Sequence, residues 1–214
     1  MTISPVDFAS LLCSRLCRDL LSPVGALNNG IELLTDEHDP EMRARCLDLL
    51  AESARASANK LKFFRLAFGA AGGFGETVDA REARTAIEGL FGDNHRVKLG
   101  WLVEDTTLPK PAIKVLLNLA LIAGDALIRG GQLDTGAESN DGAVEIVVRA
   151  DGPRIVLDAE MRAALSGTSG DAVITPRAAA AFLVNALVVE GGGVVQVSAP
   201  DEPVLVFGAA FDAR

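Results

Sequence analysis

The sequence predicts an α+β protein in two parts: an antiparallel helical hairpin at the N-terminus, then an α/β sandwich. Three observations carry this. Cys13, Cys17, Leu20, Val24, Leu27, Ile31 and Leu34 recur at alternating spacings of four and three, the seam of a helical bundle. A second helical pattern opens directly after a short turn at 35–39. Beyond the glycines near residue 70, apolar helical patterns interleave with short alternating segments, as in a two-layer domain.

Each element has a local reason. Asp7 is the expected cap of the first helix, and Pro23 inside the pattern predicts a local kink. Asp39-Pro40 starts the second helix, a capping acid followed by proline at the first helical position. Its apolar and small residues are Cys46, Leu50, Ala54, Ser57, Leu61, Phe64 and Phe68. It ends at Gly69, and Ala70-Ala71-Gly72-Gly73 reads as a linker, dividing the chain into 1–72 and 73–214. Helices are predicted at 81–91, 111–128, 159–165 and 176–189. Strands are predicted at 97–103, 142–150, 194–198 and 204–211, the last two flanking the Pro200-Asp201-Glu202-Pro203 turn. One hairpin cannot bury both faces of its helices, so two chains are expected to close a four-helix bundle as a homodimer.

Composition narrows the function. Of 214 residues, 49% are hydrophobic and the net charge is −9, which excludes disorder and argues against a nucleic-acid partner. No apolar run reaches the ~18 residues of a membrane span, and Met1-Thr2-Ile3-Ser4-Pro5 lacks the basic start of a signal peptide. Cys13, Cys17 and Cys46 are odd in number and fit no disulfide framework, so a reducing cytoplasm is expected. They supply three of the four ligands a structural zinc needs, with no nearby histidine, so no metal is expected and the thiols are read as core.

The motif that carries chemistry is Leu16-Cys17-Arg18-Asp19-Leu20-Leu21-Ser22-Pro23. With Asn29-Gly30-Ile31-Glu32-Leu33-Leu34 it resembles the Cys-His-Asp-(hydrophobic)2-Ser-Pro box and the following stretch of ChpT-type bacterial histidine phosphotransferases. Phe64-Arg65-Leu66-Ala67-Phe68-Gly69-Ala70, Asn118-Leu119-Ala120 and the helix from Pro176 are similar to the same family, so the likeness spans almost the whole chain. The resemblance implies a second domain shaped like the ATP-binding domain of a histidine kinase. It implies receiver domains of response regulators as partners, and allows a hybrid histidine kinase. In the family the box histidine carries the phosphoryl group and the acid after it orients the imidazole.

This chain departs from the pattern at the acceptor itself, where Arg18 stands. A neutral imidazole nitrogen attacks a phosphoryl group; a guanidinium stays protonated and only donates. His38, in the interhelix turn, lies about 30 Å along the helix from Arg18 at the ~1.5 Å rise per residue, and His95 precedes a strand; neither replaces it. The nucleotide site is dismantled as well. Aligned with kinases, the magnesium-binding Asn falls at Ile122, the adenine-reading Asp at Ala150, and the second loop Gly at Arg154; Gly191-Gly192-Gly193 reads as a turn into a strand, with no later phosphate lid. No cofactor is therefore expected.

The site predicted from sequence is Arg18 and Asp19, flanked on an exposed helix face by Ser14, Arg15, Ser22, Gly25 and Asn29. Arg18 has two readings: a solvated arginine, or a guanidinium gripping the acidic or phosphorylated pocket of a receiver in two-pronged geometry. Asp19 then serves as a salt-bridge partner. Three functions follow in order: a docking protein that transfers no phosphate, a working phosphotransferase seen as an inactivated His→Arg variant, and an ATP-dependent kinase-like enzyme.

Overall fold

In the computed structural model, residues 3–69, 76–92, 96–140, 142–169 and 174–213 are described. The proposed linker and the 72/73 division, with His95, lie outside the described residues.

Helix α1 runs over Pro5–Asp36, unbroken through Pro23, and α2 over Pro40–Ala67. The cap of α1 is Ser4, not Asp7. Its Oγ accepts from the Asp7 amide at 3.1 Å and donates to Asp7 Oδ2 at 2.7 Å. Proline at the first helical position sets the start one turn earlier, and the acid takes the third position of the first turn. Asp39 caps α2 as expected, accepting from the Met42 amide. Arg43 Nη1 closes the turn by donating to the carbonyls of Leu34 and Glu37. The two helices approach closely at Gly30, where a Cβ would come 2.8 Å from Leu50 Cδ2.

The predicted seam divides. Leu20, Leu27 and Leu34 are half-buried, whereas Cys13, Cys17, Val24 and Ile31 are exposed. On α2, Cys46 and Phe64 are buried while Ala54 and Leu61 are exposed. A seven-residue repeat describes two adjacent stripes, and one partner helix covers only one of them. Only Cys46 is therefore a core cysteine; all three thiols are free.

The second part holds β1 (Thr77–Asp79), α3 (Ala80–Phe91), β2 (Val97–Trp101), β3 (Thr107–Pro109), α4 (Lys110–Ala126), β4 (Gly131–Asn140), β5 (Ala143–Asp151), α5 (Ala159–Leu165), α6 (Ala179–Glu190), β6 (Val194–Val197) and β7 (Leu205–Asp212). The main sheet has the order β2-β4-β5-β7-β6. Only β2 and β4 pair in parallel, so the sheet is mixed where the sequence suggested antiparallel strands. β1 and β3 form a separate antiparallel pair. Inward residues of β5 and β7, among them Val144, Ile146, Val148 and Phe207, meet the helices on one face. This is the two-layer arrangement expected.

β4 was not predicted, because Leu133 is its one large apolar side chain, alternating inward with Thr135 and Ala137. Gly130 and Gly131, at φ 77° and 148°, make the turn into it; a Cβ on Gly130 would overlap the Arg96 carbonyl. α4 is mostly apolar because most of its surface is buried: Val115, Leu116, Leu117 and Leu119 are fully covered. α6 starts three residues later than predicted, since 176–178 form a turn.

The hairpin is not separate from this core. Phe63, Phe64, Leu66 and Ala67, at the end of α2, join the cluster formed by α3, α4 and the sheet. The rings of Phe8 on α1 and Phe182 on α6 lie 5.2 Å apart. Asn118, fully buried, donates from Nδ2 to the carbonyls of Ala67 and Lys114; its Oδ1 has no partner among the described residues.

Candidate functional site on the first helix

At one hundred degrees per residue, roughly, α1 has three faces. One, with Arg15 and Pro23, is buried. A second carries the uncovered apolar stripe of Cys17, Val24 and Ile31. The third holds Ser14, Arg18, Ser22, Gly25 and Asn29. Ser14, Arg18, Ser22 and Asn29 are exposed, and no atom lies within 4 Å of a Cβ built on Gly25. The sequence-predicted residues are thus brought together, with one exception. Arg18 has no hydrogen bond or ion pair among the described residues.

The exception is Arg15, predicted on the exposed face and found 6% exposed. Its Nε donates to Asp19 Oδ2 (3.1 Å), Nη1 to the carbonyl of Arg177 (2.9 Å) and Nη2 to Asp125 Oδ2 (3.1 Å). A buried guanidinium must be paired on most of its donors, and here they span α1, the end of α4 and the turn before α6. Arg15 fastens the hairpin to the second domain and is not part of a docking face. Asp19 is held twice: its carboxylate accepts from Arg15, and its carbonyl accepts from Lys60 Nζ on α2 at 2.8 Å. The salt-bridge role expected for Asp19 is what the structure contains.

Asp125 and Lys60 were not picked out from the sequence. Asp125 had a legible signal, being the single acid in the strongly apolar α4. The surrounding cleft pushes its carboxyl above the ordinary carboxylate value, and the Arg15 guanidinium opposes this. With 48% of the side chain still meeting solvent, water tempers that push.

The positions aligned with nucleotide-binding residues are occupied by core. Ile122 is 1% exposed, and Ala150 is fully buried in β5. Asp151, next to Ala150, is paired with Arg149 at 2.7 Å. Gly191 caps α6 and Gly192, at φ 70°, turns the chain into β6, as read from the sequence. Among the described residues no three acidic, histidine or cysteine side chains gather to hold a metal ion.

A helical hairpin fastened to a two-layer α/β domain, with a phosphoacceptor-like box on the open face of its first helix, defines a two-component signalling fold. Comparison with known proteins agrees. Residues 80–203 match the family described as the histidine phosphotransferase C-terminal domain. The chain is 34% identical to protein phosphotransferase ChpT of Brucella abortus (strain 2308) over 98% of both chains. A solved bacterial phosphotransferase superposes with a TM-score of 0.85 at 32% identity, again over 98% of both. The chain belongs to the ChpT-type histidine phosphotransferase family.

Proposed function

We propose that this protein docks receiver domains of response regulators through the face around Arg18 and does not itself carry the phosphoryl group. The observation that supports this reading is Arg18, exposed at the acceptor turn and unpaired among the described residues, above an intact support of Asp19, Arg15 and Lys60. A guanidinium cannot accept a phosphoryl group at neutral pH, but it pairs with a carboxylate or phosphate through two parallel hydrogen bonds. Ser14, Ser22, Gly25 and Asn29 extend the contact along the helix. The protein would compete for, or hold, regulators that other members phosphorylate; a hybrid histidine kinase is a second partner class. It works as a homodimer in the cytoplasm. Support for the dimer is the apolar stripe left on the hairpin, where Val24, Ile31, Leu47 and Leu61 are 45–56% exposed. The thiols, all free, suit a reducing compartment.

A titration of receiver domains onto the dimer tests this directly. Arg18→Glu is expected to weaken binding at least about tenfold by placing like charges together. Receiver binding that is unchanged by Arg18→Glu would count against the docking face. The intact support also favours a second reading, in which the chain is an inactivated His→Arg form of a working phosphotransferase. An ATP-dependent reaction has less support, because Ile122 and Ala150 offer no polar side-chain atom. Thermal-shift titration with ATP and magnesium checks it, and a rise in melting temperature would revive it.

A further inference from the structure

The main sheet is covered by helices on one face only. Its other face is built from the residues of β4, β5, β7 and β6 that alternate outward. A sheet face given over to water reads polar along each strand. This one departs from that. Val147 in β5, Val194 in β6 and Leu102, which follows β2 and lies beside Gly136, are 52–70% exposed. Val147 stands between Gly136 and Gly208 in register, and a Cβ on either glycine would meet nothing closer than 3.7 Å. The fold therefore does not require glycine at these two positions. Glycine inside a strand weakens it and leaves room for another backbone to approach.

The charges on this face select what can cover it. Arg149 is committed to Asp134 and Asp151, at 3.1 and 2.7 Å. On the far side of Val147, Glu138 and Glu145 stand directly opposite each other on β4 and β5, and both are exposed. Like charges opposed across two strands are unfavourable. Glu138 accepts one hydrogen bond, from the Asn140 side-chain amide, and no cation pairs with either glutamate among the described residues. A second copy of this face would bring four glutamates together, and nucleic acid or anionic lipid carries the same sign. Complementary charge requires cations on an apolar body.

We infer that this open sheet face docks a basic amphipathic helix of a partner protein, with lysine or arginine side chains on Glu138 and Glu145 and apolar side chains on Val147, Leu102 and Val194. Helices already cover the opposite face of the same sheet, and the row through Gly136 and Gly208 lets another lie close. Five strands about 4.8 Å apart span about 19 Å, the length of about 13 helical residues. The hairpin packs against α4 and α6, on the helix side of the sheet, so this face is separate from the one around Arg18 and takes the opposite charge.

The probe is a fluorescein-labelled synthetic peptide of about 14 residues, leucine and lysine at helical spacing, followed by anisotropy on the full chain. Saturable binding is expected, and a matched leucine–glutamate peptide should not bind. Glu145→Lys should weaken the leucine–lysine peptide about tenfold. Gly208→Phe, which fills the space beside Val147, should weaken it at least about tenfold. Glu52→Lys, an equal change of charge at an exposed position on α2, should leave binding unchanged. If Gly208→Phe does not fold, Glu145→Lys against Glu52→Lys decides the matter. Equal weakening by those two would reduce the attraction to net charge and overturn the inference. So would binding that survives both Glu145→Lys and Gly208→Phe, or no binding at micromolar concentration.

Discussion

Arg15 and Arg18 stand three residues apart on one helix and do opposite things. Arg15 is 6% exposed and makes hydrogen bonds to three other residues. Arg18 is exposed and makes none among the described residues. Both are cations of the same shape, so the difference lies in where the helix turns them. The face of Arg15 is committed to folding, and that of Arg18 is left open to solvent. A charge in sequence does not say which of these it is until the residues that surround it are known.

The largest test of that contrast is stability. Arg15→Ala should cost about 2–4 kcal/mol, because it strands Asp19 and Asp125 and frees the Arg177 carbonyl; the partial exposure of both acids keeps the loss below that of a fully buried pair. Urea unfolding measures it, with an unchanged slope expected. The hairpin stripe comes next. Ile31→Glu puts a charge into the proposed bundle seam and should convert a dimer to a folded monomer at micromolar concentration, read by light scattering; a variant that stays dimeric would place the interface elsewhere.

A smaller effect is expected from Asp125→Asn, which keeps an acceptor for Arg15 and removes the charge. The folded pKa of Asp125 is raised above its unfolded value. Its contribution is therefore fully present below the ordinary carboxylate value and is lost as pH rises through the folded one. The native protein should lose stability across that window just above the usual carboxylate range, and Asp125→Asn should flatten the loss. The change is expected to stay under about 1 kcal/mol, since half of the side chain meets water. Smallest of all is Arg18→Ala, whose effect on unfolding should lie within about 0.5 kcal/mol. An Arg18→Ala loss as large as that of Arg15→Ala would erase the distinction between the two faces.

What could be read beforehand follows the range of the forces involved. Helix starts such as Asp39-Pro40, and the strongly apolar α4, depend on residues within a few positions and were legible. Ser4 displaced Asp7 as the first cap because Pro5 fixes the first helical position, a signal present but passed over. β4 was not legible: Leu133, Thr135 and Ala137 acquire their apolar role only when α4 and β5 cover them. Arg15 is the sharpest case. Two of its three partners lie 110 and 162 residues away, so local pattern places it with the exposed residues around it. The acceptor box was legible as a motif, and its open face followed from helical spacing. The opposition of Glu138 and Glu145 was not, since it exists only in the register of β4 against β5.

The central claim is that the Arg18 face receives regulators without receiving phosphate. Mixing the protein with a radiolabelled phospho-receiver, and following acid-labile label on the chain beside an Arg18→His variant, tests it most directly. The account predicts no label on the native chain and a labelled Arg18→His, because the support around the acceptor turn is in place. Label on the native chain would contradict it.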